Sequence, residues 1–88
     1  MKHTLDDSRS RNVIGGRVKE ARLRLKPAVT QDDLAGRLSA RGVSLDRSAI
    51  SRIESHERYV MDYEALAIAS ALKVSIAWLF DVSLEKRT

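Results

Sequence analysis

The sequence has 88 residues, which suffices for one small domain, and a formal net charge of +4. It contains no cysteine, which excludes disulfides and thiolate metal sites, and 43% of its residues are hydrophobic, which permits a compact core. No apolar run approaches membrane-spanning length, and residues 1–12 lack the apolar stretch of a secretory signal. We therefore expect a cytoplasmic protein that does not bind membranes.

Positive charge is concentrated in the first third of the chain. From Arg9 to Lys26 there are seven basic residues and one acid, Glu20, whereas from Pro27 to Arg58 the charges balance. A surface polarised in this way suits a polyanionic partner such as nucleic acid. The alternative interpretation is that these basic residues only form a solvent-exposed helix face and bind no partner.

The first predicted helix follows a polar segment without periodicity. Residues 1–11 are expected to form a flexible arm. Asn12 is a favourable N-cap for the first helix, and Pro27 ends it because the residue before proline avoids the helical region. One apolar stripe supports this helix: Ile14, Val18, Ala21 and Leu25.

The second and third helices have clear start signals. Thr30 precedes acidic residues and is the expected N-cap of the second helix, which Gly42 closes. After a short connection, Asp46 is the expected N-cap of a third helix over Arg47 to about Ser55. Its inward side chains are Ala49, Ile50 and Ile53.

Two shorter helices complete the predicted domain. Asp62 is expected to cap a fourth helix over Tyr63 to Leu72, and Ser75 a fifth over Ile76 to Phe80. The apolar residues expected to enter the core from the fourth helix are Leu66, Ile68, Ala69 and Leu72. Tyr59 and Tyr63 are expected to pack in the core or a loop. No segment alternates with period two, so we predict an all-α five-helix bundle over residues 12–81, followed by a polar tail over residues 82–88.

The second and third helices, joined by a turn that contains glycine, form the pattern of a helix-turn-helix. Ala35 and Gly42 are small enough to let the two helices approach each other. The outer face of the third helix carries four hydrogen-bonding residues that we expect to read base edges: Arg47, Ser48, Ser51 and Arg52. Arginine binds guanine through two parallel hydrogen bonds, and serine bonds to several base edges or to phosphate. This pattern predicts sequence-specific binding of double-stranded DNA.

Three sequence blocks, in order, resemble the Cro and phage-repressor type of helix-turn-helix regulator, the xenobiotic-response-element family. They are Thr30-Gln31-x-x-Leu34-Ala35, then Ile50-Ser51-Arg52-Ile53-Glu54, and then Leu66-x-Ile68-Ala69-x-Ala71-Leu72-x-Val74-Ser75 with Trp78-Leu79. The resemblance implies a lambda-repressor-like domain that binds operator DNA as a transcriptional regulator, in most cases a repressor.

The resemblance also implies roles for single residues. Gln31 matches a position that contacts phosphate and braces the recognition helix, and Thr30 and Arg58 are expected to contact phosphate as well. Glu54 matches a structural acid, and Arg22 matches its basic partner on the first helix.

Two features depart from the family pattern. Ala35 and Ile50 lie 15 residues apart, more than one helical turn beyond the usual spacing, which indicates either a longer second helix or a longer turn. His56 occupies a position where the family often has glycine, which tolerates positive φ best.

A homodimer that reads an inverted repeat is expected, because one short recognition helix offers few base contacts. The expected dimer surface runs from Trp78 to Leu84 and includes these apolar residues: Trp78, Leu79, Phe80, Val82 and Leu84. An antitoxin-like DNA-binding protein that neutralises a toxin, and a helical protein-interaction module, are the alternatives. The sequence has no phosphate loop or nucleophile–base pattern and its two histidines are far apart, so we expect no enzyme, cofactor or metal.

Overall fold

The computed structural model describes residues 10–82, and this part of the chain forms five α-helices without a β-strand. The helices are α1 (Gly15–Arg24), α2 (Gln31–Ser39), α3 (Arg47–Glu54), α4 (Asp62–Ala71) and α5 (Ile76–Leu79). The all-helical prediction is therefore confirmed for the described residues. Within the same residues, no helix combines the length and the apolar character needed to cross a membrane.

Three of the predicted helix starts are confirmed by side-chain hydrogen bonds. Thr30 Oγ1 accepts from the amide of Asp33 at 2.9 Å, and the Asp33 carboxylate accepts from the amide of Thr30 at 3.0 Å, which closes a capping box at α2. Asp46 caps α3 at 2.8 Å, and Ser75 caps α5 at 3.0 Å. Each cap satisfies an amide that has no partner within its own helix.

The helix α1 begins at Gly15 with Ile14 at the N-cap position, so Asn12 lies two residues before the position expected for it. The Asn12 side chain accepts from the amides of Ile14 and Gly15 at 3.1 and 2.8 Å. Its amide group also donates to the carbonyls of Ile53 and Arg58 at 3.1 and 2.8 Å. These long-range bonds hold residue 12 outside the helix and fasten the start of α1 to the end of α3.

Gly15 lies directly against α3 at this junction. A Cβ atom at residue 15 would collide with the backbone oxygen of Ile53, whereas nothing lies within 4 Å of the corresponding position at Gly16. Glycine at residue 15 therefore permits the close approach of α1 to α3.

The start of α4 also differs from the prediction. Asp62 is the first helical residue, and Met61 is the N-cap. The amide of Met61 donates to the Glu64 carboxylate at 2.9 Å. The capping contact at this helix start is therefore made by Glu64, within the first turn, and not by the expected cap Asp62.

One apolar face of α4 is buried, but it is not the face that includes Leu66. Leu66 is 60% exposed, whereas Ala65 is 4% exposed. The buried stripe consists of Ala65, Ile68, Ala69 and Leu72, which follow the i, i+3, i+4, i+7 spacing of one helix face. Tyr59 and Tyr63 are exposed, so the expectation that they pack in the core is wrong. Tyr59 lies in the loop between α3 and α4, where the Arg11 guanidinium is 5.5 Å from the centre of its ring.

The additional residues between Ala35 and Ile50 lie in the connection between α2 and α3, not in a longer helix. α2 has nine residues, and residues 40–46 link it to α3. Gly42 has φ +81°, the left-handed conformation expected of a glycine that closes a helix. Val43 and Leu45 are buried and anchor the connection to the core.

Candidate nucleic-acid interface

A shallow concave surface runs along the exposed side of α3 and reaches the start of α2. We call it the α3 surface, and it is lined by Gln31, Asp46, Arg47, Ser48, Ser51 and Arg52. The structure thus brings together all four residues predicted to read bases and one of the three predicted to contact phosphate.

The amphipathic pattern of α3 fixes which side chains this surface presents. Ala49, Ile50 and Ile53 are buried at 8%, 1% and 0% exposure, and they pack against the rest of the core. Because 3.6 residues complete each helical turn, burial of this stripe directs the side chains on the opposite face of α3 toward solvent. The outward side chains are Arg47, Ser48, Ser51 and Arg52, all of which are exposed.

The polar groups of the α3 surface are largely uncommitted. Within residues 10–82, the side chains of Arg47 and Ser51 make no hydrogen bond or ion pair. Arg52 Nη1 donates to Ser48 Oγ at 3.1 Å, one turn earlier on the helix. A guanidinium has five N–H donors, so this contact orients Arg52 and leaves most of its donors available.

A buried polar network fixes α3 to α1 and α2. Arg22 Nε and Nη2 donate to the two carboxylate oxygens of Glu54 at 2.8 and 2.9 Å, and Arg22 Nη1 donates to the carbonyl of Val29 at 3.0 Å. Gln31 Nε2 donates to Glu54 Oε1 at 3.2 Å. The pair implied by the resemblance is therefore formed, and Gln31 braces α3 through Glu54 while lining the α3 surface.

The capping box at the start of α2 includes the carboxylate of Asp33. The Asp33 carboxylate accepts a hydrogen bond from the backbone amide of Thr30 and interacts with its hydroxyl, and these contacts lower the pKa of Asp33 below its ordinary value of 3.8. The amide and Oγ1 of Thr30 are engaged in the box. Thr30 is exposed but does not line the α3 surface.

Arg58 lies outside the α3 surface and has partners of its own. Its Nη1 donates to the carbonyl of Tyr59 at 2.9 Å and to Glu64 at 3.1 Å, and the side chain is 30% exposed. The carboxylate of Glu64 is buried and also accepts from the amide of Met61. In this arrangement Arg58 connects the loop after α3 to the first turn of α4.

Two residues contribute to the site in ways that the sequence analysis missed. Asp46 was expected only as a helix cap, yet it also places a carboxylate on the α3 surface beside Arg47. Asn12 positions α3 through its bond to the carbonyl of Ile53. The sequence signal for Asp46 was its place next to Arg47, but the signal for Asn12 is a tertiary contact with no local pattern.

No protein-family model matches the chain, and no curated protein matches it. Among residues 10–82, no group of three or more histidine or acidic side chains is arranged to hold a metal ion. Function is therefore inferred from the α3 surface itself.

Proposed function

We propose that the protein binds double-stranded DNA sequence-specifically, with α3 in the major groove, and acts as a transcriptional regulator. In this proposal α2 and α3 form a helix-turn-helix of the Cro and phage-repressor type. The observation that carries the proposal is the exposed face of α3, which presents two arginines and two serines from a helix whose other face is locked into the core.

The chemistry of this face matches what base reading requires. Arginine is the residue that most often contacts guanine, because two N–H groups of its guanidinium can donate to the two acceptors on the major-groove edge of that base. Arg47 is the first residue of α3 and Arg52 lies in its last turn, so the two guanidiniums are separated along the helix. Such spacing suits contacts to different base pairs. Ser48 and Ser51 supply short hydroxyls between them.

The support around α3 favours a rigid reading element. Base recognition needs side chains that are held on a fixed scaffold, because each donor must meet an acceptor within hydrogen-bond distance. Glu54, at the end of α3, is held by Arg22 of α1 and Gln31 of α2. Asn12 ties the same end of the helix to the start of α1.

Selection of bound duplexes from a random DNA pool tests the proposal directly. We expect an enriched motif that contains guanine, bound much more tightly than a scrambled duplex. The affinity for both duplexes should fall with added salt, because phosphate contacts release counterions. Recovery of no motif, together with equal affinity for the selected and scrambled duplexes, would contradict specific recognition.

We further propose that the protein binds DNA as a symmetric dimer whose two subunits contact each other at the end of α5. The expected dimer surface needs revision, because Leu79 is completely buried and Trp78 is half-buried against Arg17, whose guanidinium lies 4.3 Å from its ring centre. Leu84 lies outside the described residues. The apolar surface that supports a dimer consists of Ile76, Ala77, Phe80 and Val82.

A two-fold dimer would place its recognition helices about 34–36 Å apart, in successive major grooves on one side of the duplex. Analytical ultracentrifugation of the wild type and of an Ile76→Glu, Val82→Glu variant tests this assembly. We expect a dimer for the wild type and a monomer for the variant, with weaker binding to an inverted repeat. A wild-type monomer that binds a single half-site with full affinity would contradict the dimer.

A further inference from the structure

A second concave site lies on a different part of the molecule, between α1 and the connection from α4 to α5. It is a cleft of about 330 Å³. Its apolar wall is formed by Leu25, Leu72, Val74 and Trp78, and two cationic residues, Arg24 and Lys73, also line it. We call it the Trp78 cleft. It shares no lining residue with the α3 surface.

The backbone at Lys73 is unusual for a lysine. Three non-glycine residues within residues 10–82 have positive φ: His56 at 66°, Lys73 at 62° and Asp81 at 59°. This conformation is unfavourable for side chains with a Cβ atom, and glycine normally occupies it after a helix. At Lys73 the end of α4 accounts for this conformation: the amide of Val74 donates to the carbonyl of Ala69 at 3.0 Å, which closes the helix, so the positive φ by itself implies no ligand.

The three residues differ in what their side chains contact. His56 Nδ1 contacts the carbonyl of Asn12 at 3.0 Å, and Asp81 accepts from Arg17 at 2.8 Å. Lys73 makes no side-chain hydrogen bond or ion pair with any residue between 10 and 82. Its ammonium is therefore the cation of the cleft that has no partner in the described chain.

Arg24 is held only loosely at the same cleft. Its guanidinium lies 5.5 Å from the centre of the Trp78 ring and 3.3 Å from Glu20, in an exposed pair one helical turn apart. Exposed pairs of this kind contribute little, so Glu20 does not prevent Arg24 from pairing with another anion.

We propose that the Trp78 cleft binds a small carboxylate with an apolar body, its carboxylate contacting Lys73 and Arg24 and its body lying against the apolar wall. The complementarity is of two kinds. The wall offers apolar and aromatic surface that a hydrophobic body covers, and the two cations select a negative charge. Because the cleft shares no lining residue with the α3 surface, this proposal can be tested separately from the proposed function.

Trp78 provides the readout, because it is the only tryptophan in the chain. Phenylacetate is the probe, and its neutral analogue 2-phenylethanol is the control for the carboxylate. We expect phenylacetate to change the Trp78 fluorescence saturably, and 2-phenylethanol to bind at least about threefold more weakly. The proposal would be overturned if the two compounds bound equally or if phenylacetate caused no saturable change. It would also be overturned if inorganic phosphate displaced phenylacetate as effectively as unlabelled phenylacetate itself does, because the apolar body would then contribute nothing.

The variant Lys73→Gly separates ligand binding from folding. Glycine relieves the positive-φ strain, so the variant should melt at a higher temperature than the wild type while binding phenylacetate about two- to fivefold more weakly. The charge-matched control is Lys19→Gln, which removes an exposed cation of α1 that does not line the cleft, and it should leave binding unchanged. A Lys73→Gly variant that binds phenylacetate as tightly as the wild type would refute the role of Lys73.

Discussion

Replacing Glu54 by alanine tests the buried network that holds α3 in place. The side chains of Arg22 and Glu54 are only 8% and 6% exposed, and two hydrogen bonds join them. Alanine would leave the guanidinium of Arg22 buried with a single remaining acceptor, the carbonyl of Val29. Removing one partner of a buried pair costs about 3–5 kcal/mol, because the other charge stays uncompensated.

That cost is large for a chain of this size. At about 0.05–0.15 kcal/mol per residue, an 88-residue protein has a total stability of about 4–13 kcal/mol. A loss of about 3 kcal/mol lowers the melting temperature of a small domain by roughly 12 °C or more. We therefore expect Glu54→Ala to be marginally folded, and to regain stability when Arg22→Met removes the unpaired charge.

Urea unfolding followed by far-ultraviolet circular dichroism measures the effect, with Glu20→Ala as the matched control. Glu20 also pairs with an arginine, but its partner Arg24 is 65% exposed and the pair spans one turn of α1. Its loss should change the free energy of unfolding by no more than about 0.5 kcal/mol. If Glu54→Ala loses no more stability than Glu20→Ala, the pair with Arg22 does not hold α3.

Three further predictions concern the folded state. Gly15→Ala should destabilise the protein by roughly 2 kcal/mol because its Cβ collides with the carbonyl of Ile53, whereas Gly16→Ala should stabilise it by about 0.5–1 kcal/mol; equal melting temperatures would contradict the close approach. His56→Ala should be less stable than His56→Gly by about 1 kcal/mol, because alanine keeps a Cβ at φ +66°, and the reverse order in urea midpoints would refute this. Because its capping bonds lower the pKa of Asp33, the stability advantage of the wild type over Asp33→Asn should be present above pH 3.8 and disappear as the pH falls below it; an advantage that persists in acid would contradict the carboxylate cap.

Local signals were sufficient for much of the helical arrangement. Thr30, Asp46 and Ser75 are followed by helices, as their hydroxyl or carboxylate groups predict, because the capping bond reaches only three residues along the chain. The outward face of α3 followed in the same way from the burial of Ile50 and Ile53 at helical spacing.

Errors arose where tertiary contacts compete with local preference. Asn12 is a good cap by residue type, but its amide group bonds to carbonyls more than 40 residues away and the helix begins later. Leu66 is more apolar than Ala65, yet the alanine faces the core because it lies on the stripe that includes Ile68. Residue type alone does not decide which of two adjacent apolar positions is buried.

The candidate site shows the same limit. The four outward residues of α3 were predictable from its period, but the partners of Arg58 were not. Its contact with Glu64 depends on how the loop after α3 turns into α4, and nothing in the local sequence fixes that path. The contact of Arg17 with Trp78 likewise joins α1 to α5 across 61 positions of sequence.

The most direct test of DNA reading by α3 compares two single-charge variants on the selected and scrambled duplexes by fluorescence anisotropy. Arg52→Ala should weaken binding to the selected duplex by about 1–3 kcal/mol, leave the scrambled duplex much less affected, and relax the preference at one base pair per half-site. Lys19→Ala removes an exposed charge outside the α3 surface, so it should retain the full ratio between the two affinities. An Arg52→Ala variant that keeps the wild-type ratio and the wild-type selected motif would contradict base reading by α3.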